Sequence, residues 1–115
     1  MKIVDLNKMG HGNMTLEKPL LGYWDTRGLA QSIRLQLVYQ GIDFEDAKWP
    51  TTEDPSSQER QQWIDNKFDM GLDFPNLPYF VDTDGFKMTE SLAIHQYIAD
   101  KWMPDLLGKT IEEKA

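Results

Sequence analysis

The sequence contains no cysteine, which removes disulfides, thiolate–metal ligation and Cys-x-x-Cys redox chemistry at once. Arginine is scarce too: there are three, scattered, and no lysine cluster accompanies them. With a net charge of -7, the chain has no basic stripe to meet phosphates. Nucleic acid is excluded as a partner on that ground, and so are anionic membrane surfaces. No apolar run approaches the roughly 20 residues of a membrane span. The opening MKIVDLNKMGHGNM lacks the apolar centre of a signal peptide. His11 and His95 have no second ligand at useful spacing, so no metal site is expected. We read a soluble, cytoplasmic chain.

What is present is enough for one compact domain of 115 residues. Residues 1–19 show no sustained period and read as an extension, mobile or partner-bound, outside the core. Leu20–Tyr23 is a short buried strand. In the stretch that follows, Leu29, Ile33 and Leu37 recur every fourth residue with Ala30 and Val38 beside them, one face of a helix, and Gly41 is placed to end it. Ile42 and Phe44 alternate with acids and suggest a second strand. After a polar loop, Asp54-Pro55 offers a capping carboxylate and a proline suited to a first helical turn. Trp63, Ile64 and Phe68 are the expected buried side of that helix. Pro75 and Pro78 exclude helix between them. Tyr79–Val81 and Phe86–Met88 flank a turn at Asp84-Gly85, a β-hairpin pattern. Leu92, Ile94, Tyr97, Ile98 and Trp102 give a last helix that Pro104 closes. The order is βαβ, irregular helix, ββ, α, which several α/β folds share.

Three blocks narrow the choice: LGYWDTRGLAQSIRL from Leu21 to Leu35, QQWIDNKFDMGLDFPNLPYF from Gln61 to Phe80, and KMTESLAIHQYIADK from Lys87 to Lys101. In this order they resemble the N-terminal domain of mu-class glutathione transferases, nearly throughout Leu20 to Leu107. The resemblance implies an α/β, thioredoxin-like βαβ-α-ββα domain over 20–107, a mixed four-stranded sheet flanked by helices. It also implies that residues 108–115 form a tail where the linker to an all-helical second domain would begin, that domain being absent from this sequence. Such enzymes bind glutathione and add its thiolate to electrophiles.

The same resemblance assigns roles. Tyr23 stands at the position of the catalytic tyrosine. A free thiol ionises near pH 8.5, so at neutral pH it is mostly the weaker nucleophile. A phenol can donate a hydrogen bond to sulfur and favour the thiolate. Pro78 matches a proline that is cis in this fold. A cis bond would turn the backbone of Leu77 outward to pair with an extended ligand like an added strand, with Asn76 beside it. Glu90-Ser91 opens the last helix, where free N–H groups and the dipole suit the γ-glutamyl carboxylate. Mu-class chains usually have glutamine at the position of Glu90; a carboxylate there can pair with the ligand's α-ammonium. Thr89 or Ser91 is also a candidate N-cap. Trp63 and Lys67, four apart, would meet the glycyl carboxylate, with Arg60 one turn earlier, and Trp24 matches a ligand-lining position. Phe74 matches an exposed aromatic that inserts into a partner subunit.

Three functions follow as alternatives. The chain is a transferase domain whose ligand is glutathione and whose second substrate is an electrophilic small molecule. Or it is a catalytically idle, transferase-like module docked in a larger assembly through Phe74, the hairpin and residues 1–19. A thioredoxin-type oxidoreductase is the third, and the missing cysteines exclude it.

Overall fold

The computed structural model of the protein describes residues 15–51 and 58–115. Strand β1, Leu20–Trp24, lies between β2, Glu45–Trp49, and β3, Tyr79–Val81, with β4, Lys87–Thr89, beyond β3. β1 and β2 are parallel, while β1–β3 and β3–β4 are antiparallel. A parallel pair needs a crossover, here helix α1, Gln31–Tyr39. The antiparallel β3–β4 pair needs only the turn at Asp84-Gly85, closed by Gly85 N–H donating to the carbonyl of Asp82 at 3.0 Å. Helix α2, Gln58–Asn66, precedes the hairpin; α3, Ser91–Trp102, follows it, and a short α4 covers Ile111–Lys114. This is the mixed, four-stranded, thioredoxin-like sheet expected from the sequence.

Alternation along β3 sorts the helices onto faces. Neighbouring strand residues point to opposite sides. The Tyr79 ring stacks on Trp63 of α2 at 5.7 Å, while the Phe80 ring meets Tyr97 and Trp102 of α3 at 6.0 and 6.4 Å. α2 therefore covers one face and α3 the other, with α1 packed beside α3. Gly22 is glycine because of this packing: a Cβ there would lie 2.0 Å from the Tyr79 ring, its partner across the β1–β3 ladder. Trp49 packs edge-on to Trp63 and donates its indole N–H to the Tyr79 hydroxyl at 3.0 Å.

Asp82 directly follows β3 and is fully buried. Its carboxylate accepts from Thr83 N–H at 2.6 Å, and from the Tyr97 hydroxyl and Lys101 ammonium of α3. Burial opposes its charge, but these donors outweigh burial and hold the carboxyl below its ordinary range. This cluster ties α3 to the hairpin.

Several local expectations need correction. Ala30, Ile33 and Leu37 are buried, but Leu29 and Val38 are exposed. Leu29 sits in the tighter turn Gly28–Ala30 before α1, where helical spacing does not apply, and Val38 lies about 100° round from Leu37. Ile64 and Phe68 are also exposed. Ile64 is one step round from Trp63, and Phe68 lies in the 3-10 turn Lys67–Asp69 past the end of α2. Strand β2 starts at Glu45, after Ile42 and Phe44, because the ladder starts at Leu20 and Pro19 has no N–H to extend it. Both residues still pack on the core. β4 starts at Lys87, and the exposed Phe86 belongs to the turn side. On α3, Leu92 is exposed, and the buried side is Ile94, Ile98 and Ala99. The extension reaches the core at its end: Leu16 packs against it and donates its N–H to the carbonyl of Thr83 at 3.1 Å. Residues 1–14, with His11, and the Asp54-Pro55 helix start lie outside the described residues.

Candidate functional site

Tyr23 lies near the C-terminal end of the central strand β1, with its ring largely buried. The chain then turns through Gly28–Ala30 into α1, and the N–H of Leu29 donates to the Tyr23 hydroxyl oxygen at 3.2 Å. That bond uses a lone pair and leaves the hydroxyl proton available to donate elsewhere. Gly28 makes the approach possible. Its φ is +36, and a Cβ would sit 2.4 Å from the Tyr23 oxygen. Sequence reasoning missed Gly28 and the Leu29 N–H. The only trace of them was a glycine inside the first matched block.

The Leu77–Pro78 peptide is cis. Leu77 is mostly buried, and its N–H donates to the Asn76 side-chain oxygen at 2.9 Å. The backbone donor expected to face a ligand is thus occupied by its neighbour's side chain. The resemblance set Asn76 beside Leu77 at the ligand; here the two are hydrogen-bonded to each other.

Glu90 is the residue before α3, with φ 77 and ψ 113, a region few non-glycine residues occupy. It has no side-chain capping bond, so neither Thr89 nor Ser91 caps the helix. The Glu90 carbonyl accepts from Ile94 N–H at 2.9 Å, which starts the helical ladder. The first-turn N–H groups at Ser91 and beyond have no intrahelical acceptor, and strain of this kind is held in place at ligand sites. Phe74, which is exposed, and Glu90 line one cleft of about 250 Å³ with Phe86, Met88 and Ala93.

The remaining candidates divide. Arg60 on α2 lies over the Trp24 ring at 5.6 Å, so those two meet. Trp63 is 4% exposed between Trp49 and Tyr79 and serves the core. Lys67 opens the 3-10 turn and lies over Phe68 at 5.2 Å. Among the described residues no group of His, Asp and Glu is arranged to hold a metal ion.

The profile described as "Glutathione S-transferase, N-terminal domain" matches residues 19–100. The chain belongs to the glutathione S-transferase family. It is 51% identical over 94 residues to glutathione S-transferase Mu 4 of Mus musculus, covering 82% of this chain and 41% of that protein. It is 50% identical over 95 residues to glutathione S-transferase Mu 1 of Homo sapiens, covering 83% and 42%. A glutathione S-transferase of Dermatophagoides pteronyssinus is 48% identical over 87 residues, 76% of this chain and 39% of that one. Among solved structures, a C. elegans glutathione S-transferase superposes with a TM-score of 0.66 at 28% identity, over 84% of this chain and 41% of its own. The glutathione S-transferase Blo t 8 gives 0.60 at 44% identity, over 71% and 35%. The chain thus spans about two-fifths of the length of the curated relatives it matches. No helix among the described residues is long and apolar enough to cross a membrane.

Proposed function

We propose that this transferase domain binds glutathione and stabilises its thiolate through Tyr23 for addition to electrophiles. The observation that carries the reading is the Tyr23 hydroxyl. Its oxygen accepts the Leu29 N–H, so its own proton is left to donate to a sulfur at the end of β1. In this reading Ser91 and the first turn of α3 take the γ-glutamyl carboxylate, and Glu90 takes the α-ammonium. Leu77 pairs with the cysteinyl backbone once Asn76 releases its N–H, which exchanges one hydrogen bond for another. Arg60, Trp63 and Lys67 lie on the side of the glycyl carboxylate, with Trp24 lining the site. The electrophile and a partner subunit at Phe74 belong to the same proposal, as does a cytoplasmic setting.

The test is retention of the pure, folded chain on immobilised glutathione and its elution by free glutathione. A folded chain that flows through overturns the reading. The exposed Leu35, Val38 and Tyr39 on α1 favour a second reading, an idle domain that docks in an assembly. That chain would bind glutathione without shifting the ionisation of its thiol.

A further inference from the structure

Away from Tyr23, three polar side chains join α1 to α3. The Ser32 hydroxyl lies 2.9 Å from His95 Nε2, and the other ring nitrogen, Nδ1, is hydrogen-bonded to Gln36 Oε1. The surrounding bonds settle who donates. Gln36 Nε2 points at two acceptors, Gln40 Oε1 at 2.7 Å and the His95 carbonyl at 3.1 Å. Gln36 therefore presents its oxygen to the ring, and Nδ1 must carry the proton. In the neutral ring Nε2 is then a bare lone pair facing the Ser32 O–H. Gln40 in turn donates to the Ile98 carbonyl at 3.2 Å, which fixes the far end of the ladder. Burial pushes the His95 imidazole below its ordinary range, so the base form prevails at neutral pH.

We infer that Ser32 is a nucleophile activated by His95 and positioned by Gln36, able to take an acyl group from an activated carboxylic ester. An isolated serine hydroxyl is a weak nucleophile; an adjacent base held by a third group is the arrangement that activates it. Ser32 is exposed, while His95 is half-buried, so the hydroxyl can be reached and the base stays fixed. Leu35 stands three residues after Ser32 on α1, and Leu92 stands three before His95 on α3; both are exposed. Residues at that spacing share a helix face, which gives an apolar acyl chain a surface to lie on. In the acylation step the Ser32 oxygen attacks the ester carbonyl and its proton passes to His95 Nε2. The ester C–O bond breaks, and the leaving group departs with that proton. Water then attacks the acyl-serine with His95 again as the base, which releases the acid and restores Ser32.

The inference does not rest on glutathione binding, and its test omits glutathione. The full chain is incubated with a fluorophosphonate probe and with p-nitrophenyl acetate; labelled peptides are identified by mass spectrometry and nitrophenolate is followed in time. Phosphonylation of Ser32 and a burst of nitrophenolate are expected, and Ser32→Ala abolishes both. His95→Leu and His95→Asn slow labelling by about a hundredfold or more, as loss of a general base does. Gln36→Leu also slows it, while Gln36→Glu, whose carboxylate still accepts the Nδ1 proton, restores it. The two His95 variants guard against misfolding of either one. Labelling of Ser32 no faster than of Ser91, or rates unchanged in a folded His95 variant, would overturn the inference and leave the trio as a clasp between helices.

Discussion

The N–H of Leu29 donates to the hydroxyl oxygen of Tyr23 at 3.2 Å, across six residues of chain. The relationship orients the phenol before any ligand arrives, which is how a preorganised donor differs from a surface tyrosine. Replacing Tyr23 by Phe keeps the ring and removes the donor. We expect bound glutathione to lose most of its thiolate at neutral pH with little change in affinity. Turnover of an electrophile should fall by about 2.7–4 kcal/mol in barrier, on the order of a hundredfold or more. Ultraviolet absorbance of the bound thiolate across pH checks the first part, and kcat against KM the second.

Gly28→Ala tests the same contact from the other side. The new methyl would lie 2.4 Å from the Tyr23 oxygen at a backbone φ of +36, so the turn or the phenol must move. A stability loss of about 1 kcal/mol or more is expected, together with weakened ionisation of bound glutathione. Denaturant midpoints and thiolate absorbance measured on one sample separate the two effects. Wild-type values in both would show that the turn yields at no cost.

Asp82 predicts a pH dependence. Its folded carboxyl lies below its ordinary value of 3.8, so the unfolded chain binds the proton first as pH falls. The contribution to stability is complete above the unfolded value and is lost as pH drops through the folded one. Asp82→Asn should cost about 1–3 kcal/mol near neutrality, because Lys101 and Tyr97 lose a charged acceptor. It should also flatten stability against pH in the acid range. Urea midpoints for both proteins at neutral pH and at about pH 3 check this.

Tyr79→Phe leaves the buried Trp49 indole N–H without its acceptor while keeping the stack on Trp63. The loss should be about 1–3 kcal/mol, the desolvation penalty of an unpaired donor, with the fold intact. Thermal unfolding with tryptophan fluorescence as the probe measures it. An unchanged midpoint would mean that the indole finds another acceptor.

Much of the fold was legible because its signals are local. Proline positions, the Asp84-Gly85 turn and the spacing of Ile94 and Ile98 each depend on a few neighbouring residues. Periodicity failed at Leu29, Val38, Ile64 and Phe68, where an apolar residue sits one step beyond a buried one or past the end of a helix. The pattern shows that a segment has an apolar side; the width of the neighbour that covers that side decides how many residues it hides. For the site, the matched blocks pointed to Tyr23, Leu77 and Ser91. They could not show that Asn76 holds the Leu77 N–H, or that the Trp63 ring packs between Trp49 and Tyr79.

By itself the sequence determined the absence of thiol chemistry, the order of elements and the family, since each follows from residue types and their spacing along one line. Only the tertiary structure decided which polar groups meet. Leu29 reaches Tyr23 because a turn without a Cβ lets the backbone approach, and Ser32 reaches His95 across 63 residues because α1 and α3 share one face of the sheet. Hydrogen bonds act over about 3 Å, and a distance of that kind is fixed by packing in three dimensions.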